Sequence, residues 1–206
     1  MSSGYNFETR SQLDTAVDLW MSDQDTAIEG YGDINTWDVS AIHNFSYLFS
    51  TTRNPRASSF NSDISNWDVS SGNDFSWMFS NADAFNQDIG SWDVSSVTDF
   101  SYMFYGVRTF NQDLGRWNVC SGNNFSSMFK SAFLFNPDIR SWDVSNGINF
   151  HEMFAGTYYF LNDLSHWAIS PRPGLNLNDM FLNSRRMNLI QEWDFTPDSY
   201  DFAGIT

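Results

Sequence analysis

The chain has 206 residues and carries 25 acidic against 10 basic side chains, a formal charge of −15. No basic run offers a footprint for nucleic acid, and the acidity disfavours contact with or insertion into an anionic membrane. Aromatics make up 18% of the residues, with 20 Phe and 9 Trp, which separates the chain from disordered acidic tails and calls for a packed core.

The first predicted element is a helix. Thr9 and Gln12 stand at capping-box spacing, and Leu13, Ala16, Val17 and Trp20 come next on one helical face. Residues 1–30 are expected to cap the remainder of the chain. The opening ten residues have no signal-peptide pattern, and no apolar run reaches transmembrane length. Either the protein is intracellular, or this is the mature part of a longer precursor.

From residue 31 the chain repeats itself. Trp37, Trp67, Trp92, Trp117, Trp142, Trp167 and Trp193 are separated by 30, 25, 25, 25, 25 and 26 residues. An acid and an aliphatic precede each of the first six, as in Asp63-Ile64 and Asp88-Ile89. A phenylalanine stands eight residues after Trp (Phe45, Phe75, Phe100, Phe125, Phe150), followed by pairs such as Met78-Phe79. A fixed period of this size means stacked units that bury their apolar faces against neighbours. Within each unit, I-x-x-W-x-V predicts a short strand with Trp and Val inward. The next stretch, such as residues 73–79, predicts a helical turn capped by Asn or Asp. Polar residues 51–59 form an inserted loop, and Pro171, Pro173 and Gly174 interrupt the sixth unit. The expected organisation is one domain over 1–206: an N-terminal cap (1–30), seven Trp-marked coils (31–196) and a C-terminal cap (197–206).

The motif F-N-Q-D-I-x-x-W-D-V-S-x-V-T-x-x-x-x-M-F, written best over residues 85–104, resembles the BspA-like bacterial surface-protein repeat. The resemblance covers nearly the whole chain. It implies an α/β, right-handed, leucine-rich-repeat-like solenoid, a cell-surface or extracellular location, and a role in adhesion or protein contact. It carries over no catalytic residue. Two departures stand out: glycine replaces the expected valine at Gly72, Gly122 and Gly147, and phenylalanine replaces the methionine three residues further on.

Three sets of residues are candidates for function. Asp38, Asp68, Asp93, Asn118 and Asp143 directly succeed Trp and should form an acidic row on the strand face. Such a row suits calcium or a glycan; the plainer reading is that each accepts bonds from the Ser column two residues on or from backbone N–H groups. A second acidic column, Asp33 to Asp163, is expected to serve its own turns. Tyr47, Trp77 and Tyr102 lie ten residues after Trp and should form an outward ridge for a protein or a sugar. The loop brings Arg53 and Arg56 beside that ridge.

Signs of catalysis are lacking. His43, His151 and His166 fall in different columns without zinc spacing, and neither a phosphate-cradling loop nor a nucleophile elbow is written. Cys120 stands in the Ser column as its substitute. Asn44 and Asn124 have glycosylation spacing but sit at cap positions. The expected function is a non-catalytic scaffold for adhesion or protein recognition, without cofactor. The alternatives are a structural subunit of a large intracellular, viral or organellar assembly and, behind it, a cation- or glycan-binding module.

Overall fold

The computed structural model describes residues 4–184. Trp193 with its coil and the expected C-terminal cap lie outside the described residues. Thr9 caps α1 (Arg10–Ser22) with a reciprocal box to Gln12, and Leu13, Ala16, Val17 and Trp20 are buried on its inner face, as their spacing predicts. A second helix, α2 (Gln24–Tyr31), is not among the predicted elements. Its signals are the Asp23 carboxylate, which accepts from the Thr26 N–H at 3.2 Å, and Gly32, whose φ of 78° ends it.

Beyond residue 31 the α/β, leucine-rich-repeat-like solenoid expected from the motif is not what the chain forms. Among the described residues, both α-helices lie within 10–31 and strand pairing is limited to isolated bridges. The I-x-x-W segment is a turn: the Trp92 N–H donates to the Ile89 carbonyl three residues back, at 3.1 Å. Trp92 and Val94 do point inward, 4% and 1% exposed. Alternation alone does not separate a pleated strand from a run of turns that also hides every second side chain.

The predicted helical turn is replaced too. In residues 73–79 the Asp74 carboxylate accepts from the Ser76 N–H (2.9 Å), and the Met78 N–H donates to the Phe75 carbonyl (3.2 Å). Trp77 then has a φ of 60°. An α-helix has no place for that angle, whereas a type II turn demands positive φ at its third residue. A further turn runs from Trp77 to Ser80. Two turns in succession reproduce the i, i+3, i+4 apolar spacing of a helix.

Coils of about 25 residues are joined by a parallel backbone ladder. The N–H groups of Phe75, Trp77, Phe79 and Asn81 donate to the carbonyls of Asp99, Ser101, Met103 and Tyr105 at 2.7–2.9 Å. The same four alternate positions link each coil to the next from Phe45 to Leu182. Inside, Phe49, Phe79, Phe104, Phe129, Phe154 and Phe181 stack with centroids 5.4–5.7 Å apart. A second file, Phe60, Phe85, Phe110, Phe135 and Phe160, runs beside it. One continuous apolar core extends from Phe7 to Phe181.

At three of the coils the phenylalanine ring takes the space a side chain would need, whereas Ile42 and Val97 hold the same position ahead of Phe45 and Phe100. A Cβ on Gly72, Gly122 or Gly147 would lie 2.4, 2.4 or 2.2 Å from the ring of the phenylalanine three residues on. The bend itself is unchanged: Gly72 and Val97 close the same turn, at 2.8 and 3.0 Å.

Candidate functional site

Tyr47, Trp77 and Tyr102 are brought together as the sequence predicts. Each occupies the positive-φ position of its turn, at 59°, 60° and 57°, and the column continues through Ser127 and Glu152. A left-handed angle costs a non-glycine residue roughly 1–3 kcal/mol and persists where the surroundings over-determine it. Here the ladder does so: the Trp77 N–H donates to Ser101 O and the Tyr102 N–H to Ser126 O. The rings form a file. Tyr47 and Trp77 are 5.5 Å apart and Trp77 and Tyr102 4.0 Å, with interplanar angles of 6° and 7°. Tyr105 leans against both Trp77 and Tyr102. Tyr47 is exposed and the other three are half-buried.

Arg53 does not join this surface. Its guanidinium turns back to the N-terminal helix, bonding Asp18 Oδ2 at 3.0 Å and approaching Asp14 at 3.5 Å. Its Nε and a terminal nitrogen both donate to the Leu48 carbonyl. Arg10 likewise donates to the carbonyls of Asn44 (3.0 Å) and Ser46 (2.7 Å) and to Asp14. In later coils the matching carbonyls, such as Asp74, Ser76 and Met78, accept from the preceding coil. The first coil lacks that donor, and two arginines take its place. Arg53 is therefore a structural cap; position in a polar loop made it look like a surface cation. Arg56 is exposed, and around it Pro55–Ser59 form a short 3-10 turn, capped by Asn54, that buries Ala57.

The row Asp38, Asp68, Asp93, Asn118 and Asp143 is present, and its members serve their own turns. Oδ1 of each accepts the N–H two residues on, from Ser40, Ser70, Ser95, Cys120 and Ser145, at 3.0–3.2 Å. The Ser40 and Ser70 hydroxyls add bonds of 2.7 and 2.6 Å. Serine hydroxyl and backbone bonds hold the Asp38, Asp93 and Asp143 carboxyls below the usual range. Asp33, Asp63, Asp88, Asp113, Asp138 and Asp163 act the same way in the preceding turn. The Arg140 side chain donates to Asp138 as well and lowers its carboxyl to about 2. Among the described residues, no group of three or more His, Cys, Asp or Glu is placed to hold a metal ion. No helix among them is long and apolar enough to cross a membrane.

The Asn44 and Asn124 amides are engaged. Each accepts from the serine N–H two residues on and donates to an aspartate, Asp74 or Asp99. The His43 and His151 rings lie apart, each with Nδ1 on a carbonyl, of Ser71 and Asn178.

One surface has no counterpart among the sequence-based expectations. Phe133, Leu134, Tyr158 and Tyr159 stand together on the fourth and fifth coils and are 41–44% exposed. Their columns begin as Asp83-Ala84 and Arg108-Thr109 in the second and third coils, so no repeated apolar column announces them. The signal available is the local cluster of large apolar residues.

The family described as Mycoplasma protein of unknown function, DUF285, matches residues 18–133 and again 123–200. No curated protein and no solved structure matches the chain. Two overlapping matches over most of an internally repeated chain mean that it belongs to the DUF285 family.

Proposed function

We propose that this chain is a non-catalytic repeat scaffold that recognises a protein partner, in line with its resemblance to BspA-like surface proteins, and that it works at a cell surface. The observation that carries this reading is the ring file of Tyr47, Trp77 and Tyr102 with Tyr105 against it. Aromatic side chains dominate interface energetics, and a file held by the backbone ladder loses little freedom on binding. The rings face one another and offer mainly edges outward, which favours a protein surface over a sugar that needs an open ring face. The file lies in an acidic region: residues 1–104 carry 15 acidic and 3 basic side chains. Charge complementarity therefore selects a basic partner and raises its association rate.

The test compares three proteins against surface proteins captured by the parent. Tyr47→Ser/Trp77→Ser/Tyr102→Ser should stay folded, since Ser127 is accommodated in the same column, with a lower melting temperature because Trp77 and Tyr102 are half-buried, and should lose the partner. Asp68→Asn/Asp93→Asn should keep it and bind more slowly at low salt. A partner retained by the aromatic triple variant and lost by the aspartate pair would move the working surface to the acidic row.

A further inference from the structure

We propose that the open backbone edge of the sixth coil, at Leu177 and Asp179, is a docking edge for this chain's own residues 201–205, which pair with it as one more rung. In each of the first five coils four N–H groups at alternate positions donate to the coil that follows. Thus Phe150, Glu152, Phe154 and Gly156 donate to the carbonyls of Asn176, Asn178, Met180 and Leu182. Leu177 and Asp179 hold the first two of these positions in the sixth coil, and their N–H groups have no acceptor among the described residues. An edge with unpaired backbone donors is a template for another stretch of chain. This edge takes one chemistry only. Every carbonyl from Asn176 to Leu182 already accepts a bond, so the edge offers donors and needs carbonyls.

That chemistry disfavours other copies of the chain. Two such edges facing each other set donors against donors. Head-to-tail stacking is blocked at the other end, where Arg10 holds the carbonyls of Asn44 and Ser46 and Arg53 holds that of Leu48. Register selects residues 201–205. Asp201, Phe202, Gly204 and Ile205 follow Asn176, Leu177, Asp179 and Met180 by 25 residues, the interval that separates Asp74, Asp99, Asn124 and Asn149. Asp201 therefore falls in the Asn/Asp column that bridges one coil to the next. Phe202 falls in the column of the buried Phe100 and Phe150, and Ile205 in that of the buried Met103 and Met153. Gly204 falls in the column whose φ is positive from Tyr47 to Asp179. Inside the stack the ladder on both sides holds a bulky residue at that angle. A last rung has a neighbour on one side only, and glycine adopts the angle at little cost. In this register the Leu177 N–H meets the carbonyl of Asp201, and the Asp179 N–H that of Ala203. Tethering through residues 185–200 gives this segment a higher effective concentration at the edge than a free chain has. The proposal is independent of the aromatic file and extends the repeat register past residue 196.

The test is residue-resolved amide hydrogen exchange on the full chain. The Leu177 and Asp179 amides should exchange about tenfold or more slowly than unpaired amides, at a rate independent of protein concentration. Gly204→Val should abolish most of this protection, because a β-branched residue resists positive φ, whereas Gly204→Asn should keep it. Phe202→Ser should abolish it as well, while the Phe100 and Phe125 amides stay protected and show that the stack is folded. Free exchange of Leu177 and Asp179 in the parent overturns the proposal. So does protection that survives both Gly204→Val and Phe202→Ser, or that is lost equally in Gly204→Asn. Protection that grows with concentration overturns it too, by giving the edge to a second copy.

Discussion

The indole N–H of Trp92 donates to the backbone carbonyl of Ile64, one coil earlier, at 3.2 Å. The same bond runs from Trp67 to Ile34, Trp117 to Ile89, Trp142 to Leu114 and Trp167 to Ile139. This explains why the repeat keeps tryptophan where a leucine would fill space. The ring is core, and its one polar atom donates a second hydrogen bond to the carbonyl that already closes the preceding coil's turn. Truncating Trp92 to alanine should cost roughly 3–5 kcal/mol, from lost packing and a cavity. Trp92→Phe should cost about 1–2 kcal/mol, because most of the ring stays and Ile64 O still accepts from the Trp67 N–H. Denaturant melts of both variants check the order; a phenylalanine variant as unstable as the alanine one would mean that the indole bond outweighs the packing of the ring.

Gly122 leaves room for the Phe125 ring as this coil places it, unlike the coils of Ile42 and Val97, where a side chain precedes the same phenylalanine. With Phe125 Cζ lying 2.4 Å from where a Cβ would stand, Gly122→Val should destabilise by roughly 1–3 kcal/mol through overpacking. Adding Phe125→Met supplies a side chain that can bend aside and should recover a large part of the loss. A double-mutant cycle measures this directly: additive losses would show that ring and glycine are independent.

Arg53 closes the first coil, so its loss should be felt locally. Arg53→Ala removes two bonds to Leu48 O and leaves Asp18 with the Asn54 amide alone of these two partners. The expected cost is about 2–3 kcal/mol, with Arg53→Lys a poor rescue because an ammonium cannot fork between carbonyl and carboxylate. Hydrogen exchange should quicken at residues 45–51 before coils four and five respond. Uniform quickening along the chain would mean the cap is coupled to the whole stack.

How much of this is legible in the chain varies with the range of the interaction. The capping box at Thr9 and Gln12 and the buried face of α1 are local, and spacing alone determines them. The inward positions of Trp, Val and Phe are set by period and apolarity. Secondary structure is not, because consecutive turns and a helical turn share the i, i+3, i+4 pattern, and the difference is a φ of 60° at Trp77 that no residue type there signals. Left-handed positions favour glycine and asparagine, and tryptophan is a poor marker for one. Arg53 is illegible for a related reason: its partners Asp18 and Leu48 are set by how the loop folds onto α1, 35 residues away in sequence. The aromatic file is legible because it repeats; the Phe133 patch is not, because it breaks the repeat.

The acidic row makes stability depend on pH in a defined direction. The Asp38, Asp93 and Asp143 carboxyls are lowered first by the hydroxyl of the serine two residues on and then by its backbone N–H. A group whose folded-state value is depressed adds stability above its unfolded value, about pH 4 for aspartate, and loses it as pH falls through the folded value. The three groups are largely solvated, so each contributes on the order of a few tenths of a kcal/mol. Asn118 occupies the same column and makes the same turn to the Cys120 N–H at 3.2 Å, so asparagine is a conservative probe. Asp38→Asn/Asp93→Asn/Asp143→Asn should keep the turns and lose only the charge-strengthened bonds. Its melting temperature should lie about 2–4 °C below the parent's near neutrality, and the gap should close as both are taken below pH 4. Taking the difference cancels the repulsion among the acids that both proteins keep and leaves in it only that of the three row carboxylates. A gap that persists at low pH would mean the serine bonds matter through geometry alone, and a variant more stable than the parent at pH 7 would mean that repulsion along the row outweighs them.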